Sequence, residues 1–147
     1  MRVVADTNTV VSGLLWHGAP RQVLDAAQAG AIDLFTSAIL LAELEEVLGR
    51  GKFSQRLALA DGSPHELVIG HAALALVIEP AVIPPVIAAD PDDDAVLACA
   101  IAASAEAIVS GDSDLLSLQE YEGISILGAS DLLHRLEWPE VQDAEGP

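Results

Sequence analysis

Positive charge is scarce in this chain. Of 147 residues only six are Lys or Arg, against 23 Asp or Glu, which leaves a formal net charge of −17. That balance excludes a broad electrostatic footprint for a polyanion. A phosphate ligand would need bound divalent cations or the one local concentration of positive charge, at Arg50, Lys52 and Arg56. Much of the acidity also serves to keep an apolar protein in solution. Cysteine is limited to Cys99, so neither an internal disulfide nor a thiolate zinc site is available. Cys99 lies in an apolar helical pattern and reads as a small core residue. Aromatics make up 3% of the chain and hydrophobic residues 52%, so the interior must be built from Ala, Val, Leu and Ile. Long apolar runs are missing as well. The best stretches, Ile39 to Ala42 and Ala72 to Ile78, fall far short of the roughly 18 residues a membrane span requires. A soluble protein with no membrane partner is expected. A strand begins within two residues of the N-terminus, leaving no room for a secretory leader, and a cytoplasmic location follows as an expectation. The four histidines, His17, His65, His71 and His134, lack metal-ligand spacing and are expected at the surface. No Gly-x-Ser-x-Gly elbow or phosphate-cradling glycine loop occurs.

What is present is an alternation of short strand-like and longer helix-like apolar segments, the pattern of a parallel α/β sheet flanked by helices. Strands are expected at Arg2 to Asp6, Asp33 to Thr36, Ala75 to Glu79, Ala107 to Ser110 and Ile124 to Leu127. Helices are expected at Asn8 to Leu15, from Ala19-Pro20 to a stop at Gly30, and from a Ser37 cap to Leu48 with Gly49 ending it. A short helix then precedes the Asp61-Gly62-Ser63-Pro64 turn, and another runs from Pro64 to about Ala75. Pro80, Pro84 and Pro85 forbid regular structure up to an acidic run, where Asp92 or Asp93 opens an almost wholly apolar helix. A short helix after Ser113 and a last one over Asp131 to Leu136 complete the series. Residues 1–136 are read as one domain and residues 137–147 as an acidic, flexible tail.

The acids fall where strands end or helices begin: Asp6, Glu43, the Asp90-Pro91-Asp92-Asp93-Asp94 run, Asp112 and Asp114. Open α/β sheets bind ligands at the carboxyl edge of their strands. Singly, each acid has a plain alternative: Asp6 or Asp93 as a helix cap, Glu43 as a boundary residue reaching for water. Glu43 nonetheless sits close to the apolar face formed by Ile39, Leu40, Leu44, Val47 and Leu48, whereas Glu45 and Glu46 point more outward. Together at one edge these carboxylates would repel, and a hard divalent cation offsets that. Oxygen-only ligands select Mg²⁺ or Mn²⁺ over zinc and imply metal-assisted phosphoryl chemistry.

The order and spacing of the acids resemble the PIN-domain ribonucleases, and more closely the PIN-family toxins of bacterial toxin–antitoxin pairs. The matching segments are Val3-Val4-Ala5-Asp6-Thr7-Asn8, Ser37 with Glu43-Leu44-Glu45-Glu46-Val47-Leu48, Asp90-Pro91-Asp92-Asp93 leading to Leu97-Ala98-Cys99-Ala100, and Ile108-Val109-Ser110-Gly111-Asp112-Ser113-Asp114-Leu115-Leu116. The resemblance implies a five-stranded parallel sheet and an Mg²⁺- or Mn²⁺-dependent endoribonuclease. It places Asp6, Glu43, Asp93 and Asp112 at the metal, with Asp114 as an auxiliary ligand and Thr7 and Asn8 steadying the first acid. Asp93 is favoured over Asp92 and Asp94 because a small residue, Ala100, lies two helical turns beyond it. A homodimer, an RNA substrate and an inhibiting antitoxin are implied too, with Arg50, Lys52 and Arg56 as candidate phosphate contacts. Two other readings stand beside it. One is a non-catalytic module for antitoxin binding or dimerisation. The other is an aspartate-nucleophile phosphatase of the haloacid dehalogenase type, whose Asp-x-Asp pattern is broken here by Asn8.

Overall fold

The computed structural model describes residues 1–87 and 90–139. The tail expected from residue 137 lies outside the described residues from Glu140 onward. Six strands form one sheet: β1 (Arg2–Ala5), β2 (Asp33–Thr36), β3 (Leu76–Val77), β4 (Ala107–Val109), β5 (Glu120–Tyr121) and β6 (Ile124–Leu127), in the order β3-β2-β1-β4-β6-β5. Every pairing is parallel except β5 with β6. The helices are α1 (Thr7–Leu15), α2 (Ala19–Gln28), α3 (Ala38–Leu48), α4 (Ser54–Ala60), α5 (Pro64–Leu74), α6 (Pro91–Ala103), α7 (Ser113–Leu118) and α8 (Ala129–Arg135), with a single 3-10 turn at Gly51–Phe53.

Side-chain alternation along the central strands divides the interior into two cores. Val3 and Ala5 of β1 and Ala107 and Val109 of β4 face one side, where Val10, Leu15, Val23, Leu24, Leu48 and Leu132 from α1, α2, α3 and α8 cover them. Val4 and Ile108 face the other, against Val96, Leu97, Cys99 and Ala100 of α6. A strand whose successive residues are all buried must be covered on both faces, and the apolar runs of β1 and β4 meet that condition. Cys99 is fully buried and burial pushes its thiol up to about 11, so it stays protonated and inert.

Local signals explain most boundaries. Ser37 caps α3 by accepting from the Leu40 N–H at 3.3 Å. A capping box joins Ser63 and Glu66 at the start of α5, with Pro64 in its first turn. Gly30 follows α2 at φ +81°, a left-handed turn that ends the helix. Gly13 is the contact point of α1 and α2: a Cβ there would lie 2.8 Å from Leu24 Cδ1 and 2.9 Å from the Pro20 carbonyl.

The structure departs from the sequence expectation in five places, the first being β3, which is confined to Leu76–Val77 instead of Ala75 to Glu79. A sixth strand, β5, joins β6 antiparallel through Glu122 and Gly123, at φ +50° and +82°, a two-residue turn of the type I′ kind. α6 begins at Pro91 with Asp90 as its cap, not at Asp92 or Asp93. α8 begins at Ala129, two residues early. His71 is buried in α5 rather than exposed, and burial lowers its pKa and keeps it neutral. Among the described residues no helix is long and apolar enough to cross a membrane.

Candidate metal centre

The carboxyl ends of β1 and β4 lie side by side, and the first acid emerges there. The Asp6 N–H donates to the Val109 carbonyl at 3.0 Å, which locks the exit of β1 to the end of β4. Its side chain caps α1, accepting from the Thr9 N–H at 2.9 Å, and takes a second bond from the Ser110 hydroxyl at 2.5 Å. Ser110 in turn accepts from the Asp112 N–H at 2.9 Å, so one hydroxyl ties the strand ends of β1 and β4 to the turn that carries Asp112. Asp112 caps α7 through the Asp114 N–H at 2.8 Å.

The acidic run at the start of α6 divides its labour. Asp90 is the cap and accepts from the Asp92 N–H at 3.0 Å. Asp93, three positions on, is turned inward and is 6% exposed. Asp94 faces the other way and pins the preceding loop, accepting from the N–H groups of Val86 and Ile87 at 3.1 and 2.9 Å. A helix cap and the third residue after it share one side of the first turn, which is why Asp90 joins Asp93. Ligand atoms of Asp90, Asp93 and Asp112 all lie within 4.8 Å of one another. Across the cleft Glu43 is half-buried and accepts a hydrogen bond from the Thr7 hydroxyl.

One cleft of about 160 Å³ is lined by Asp6, Glu43, Asp90, Asp92, Asp93 and Asp112, with Thr7, Asn8 and Arg50 at its wall. Electrostatic strain follows from the crowding. Burial, then the charges of Asp112 and Asp90, a hydrogen bond with Asp112 and the charge of Asp6 raise Asp93 to about 7. Burial raises Glu43 to about 7 as well; the Thr7 hydroxyl opposes the rise, while Asp92 and Asp90 add to it. Asp93 Oδ2 is buried and accepts no hydrogen bond within the protein. A buried carboxylate oxygen without a donor costs free energy unless a proton or a cation meets it. The donor set here is wholly carboxylate oxygen, which suits a hard divalent ion.

The structure thus brings together Asp6, Glu43, Asp93 and Asp112, with Thr7 and Asn8 beside them. It does not bring Asp114, which is exposed and whose backbone, not its carboxylate, serves Asp112. Of the three candidate cations only Arg50 reaches the cleft, where it pairs with Glu46 at 2.9 Å. Arg56 is drawn to the Leu15 carbonyl at 2.9 Å and Lys52 lies over the Phe53 ring. The sequence pattern does not single out Asp90, Asp92 or Ser110 as cleft residues. Asp90 carries a usable signal, since Pro91 suits a first helical position and marks its predecessor as the cap.

A mostly parallel α/β sheet that gathers carboxylates at the carboxyl edge of its central strands defines a class of α/β protein whose acidic edge is compatible with a cation site. Residues 2–114, more than half of the chain, match the PIN domain family, and the chain belongs to that family. PIN domains are in general metal-dependent nucleases, and the acidic cluster is compatible with that chemistry. No curated protein matches the chain in sequence.

Proposed function

We propose that this protein is an Mg²⁺- or Mn²⁺-dependent endoribonuclease, the toxin of a toxin–antitoxin pair that acts in the cytoplasm as a homodimer and is held inactive by its antitoxin. The observation that carries the catalytic part is the proximity of ligand atoms from Asp90, Asp93 and Asp112, together with a buried oxygen of Asp93 that accepts no hydrogen bond. Asp93, Asp112 and Asp90 would hold the ion, with Asp6 beside them and Glu43 across the cleft. A bound divalent ion neutralises charge on the scissile phosphate and lowers the pKa of an attacking water. The protein's own part is placement. Asp6 and Ser110 fix the strand ends, Asp112 is aimed by its turn, and the Thr7 hydroxyl orients Glu43 across the cleft. Arg50 is the cation at the rim, where an incoming phosphodiester first meets the cleft.

An aspartate-nucleophile phosphatase fits less well. Asp6 is 4% exposed and both of its carboxylate oxygens are engaged, by Thr9 and Ser110, so neither is presented for in-line attack. The test is cleavage of a mixed single-stranded RNA pool, with and without Mn²⁺, by the wild type and by Asp93→Asn. We expect metal-dependent cleavage that falls at least a hundredfold in the variant. Equal cleavage by both proteins would remove the mechanism, and none by either would favour a binding module.

A further inference from the structure

Aromatic residues and cations are both rare in this chain, yet two of each meet at one place. Trp16, which follows α1, sets its ring at 70° to Phe53 with centroids 6.1 Å apart. The Lys52 ammonium lies 5.1 Å from the Phe53 centroid and the Arg56 guanidinium 5.2 Å from that of Trp16. The bond from Arg56 Nε to the Leu15 carbonyl holds the guanidinium in that position. Trp16 keeps 39% of its surface exposed, and Lys52 is exposed beside it. A large ring that served packing alone would be more deeply covered.

The cluster is connected to the acidic cleft in two ways. Arg50 lines the cleft and immediately precedes the 3-10 turn that carries Lys52 and Phe53. α1 starts at the cleft with Thr7 and ends next to Trp16, a span of about 13 Å for its nine residues. That separation is within the reach of a few nucleotides of extended strand. Charge argues in the same direction. On a chain of net charge −17 a polyanion is repelled over most of the surface, and four of the six Lys and Arg belong to this region: Arg56 and Arg21 line one groove, where Asp25 pairs with Arg21, while Lys52 lies in the 3-10 turn that Arg50, paired with Glu46, precedes. Rings that stack on any base, flanked by cations that meet the backbone, are the combination by which proteins hold single-stranded nucleic acid.

We propose that Trp16, backed by Phe53 and flanked by Lys52 and Arg56, is a stacking platform for an unpaired base of the RNA whose backbone enters the cleft past Arg50. The proposal rests on the RNA-cleaving reading above and adds to it the side chains that hold an unpaired base outside the cleft. A duplex keeps its bases stacked on each other and cannot use the platform, so the site selects single strands or loops.

Replacing Trp138 by Phe leaves Trp16 as the sole tryptophan. Its emission, followed in EDTA so that no metal-dependent cleavage intervenes, is titrated with a short single-stranded RNA, a duplex of equal length, and an abasic oligomer with the same phosphates. Saturable quenching is expected with the single strand, and binding at least about tenfold weaker with the other two. Trp16→Leu, which keeps an apolar contact with Phe53 but no stacking face, should bind the single strand about tenfold more weakly. Trp16 emission indifferent to RNA, or duplex and abasic oligomer binding as well as the single strand, would overturn the proposal. The cluster would then be the pin that holds α4 on α1, or a face for a protein partner. The quenching readout involves no change at Trp16, so it decides the matter even where Trp16→Leu unfolds. Cleavage in Mn²⁺, measured in parallel, separates the two readings. Cleavage without quenching rejects the platform and keeps the nuclease; quenching without cleavage keeps the platform and rejects the nuclease.

Discussion

Replacing Asp93 by Asn should stabilise the metal-free protein above neutral pH and abolish its response to divalent ions. In the folded chain the Asp93 carboxyl is raised from 3.8 to about 7, first by burial and then by Asp112 and Asp90. The folded state therefore holds a proton that the unfolded chain has released, and stability from this group is fully present below about pH 4 and lost as pH rises through 7. Water in the open cleft screens part of the effect, which leaves on the order of 2 kcal/mol for Asp93. Glu43, raised for related reasons, is common to both proteins and cancels in the comparison. For a domain of this size the difference corresponds to roughly 4–8 °C in Tm. Thermal unfolding in EDTA at pH 5.5 and pH 8.5, a window that spans about half of this effect, should show the wild type losing roughly 2–4 °C more than Asp93→Asn, because Asn carries no charge and offers an N–H₂ donor to Asp90 and Asp112. Mn²⁺ should then raise the Tm of the wild type at pH 8.5 and leave the variant unmoved. Equal pH slopes for the two proteins, or equal stabilisation by Mn²⁺, would refute the picture of a repulsive cleft that a cation relieves.

The acid that follows β1 should behave in the opposite sense. Asp6→Ala removes the cap of α1 and the bond from Ser110, so the metal-free protein should lose about 1 kcal/mol along with its activity; a higher Tm in this variant would count against the structural role. Gly13→Ala should cost about 1–3 kcal/mol, because the new methyl meets the Pro20 carbonyl and Leu24, while cleavage well below the Tm is retained. Chemical denaturation reads the first effect, and an unchanged midpoint would show that α1 and α2 are not in tight contact.

Much of the fold was legible because apolar period and caps agree. β2 and β6 occupy the expected residues, and α3 runs from the Ser37 cap to Leu48 as Ser37 and Gly49 indicate. β5 was not legible, since two residues, Glu120 and Tyr121, carry no alternation and are ordered only by pairing with β6. The same holds for His71: its helix shows hardly any apolar asymmetry, so nothing local marks which histidine faces inward, and packing of α5 on α3 decides it. Where a segment's structure comes from a distant neighbour, its own residues are a weak guide.

The site obeys the same division. Asp6, Asp93 and Asp112 each occupy the end of a strand or the start of a helix, so chain order plus the parallel sheet is enough to gather them at one edge. Distinguishing the four acids of the α6 run requires knowing where the helix starts, because each position in a first turn points a different way. With Asp90 as cap, Asp93 falls inward and Asp94 falls onto the N–H groups of Val86 and Ile87; a start one residue later would exchange those roles. The cations show the limit of proximity in sequence. Arg50, Lys52 and Arg56 form one cluster along the chain, yet the 3-10 turn and α4 send only Arg50 to the cleft and deliver the other two to aromatic rings. On a protein of net charge −17, position in the fold rather than position in the chain therefore decides which cation stands beside the acids.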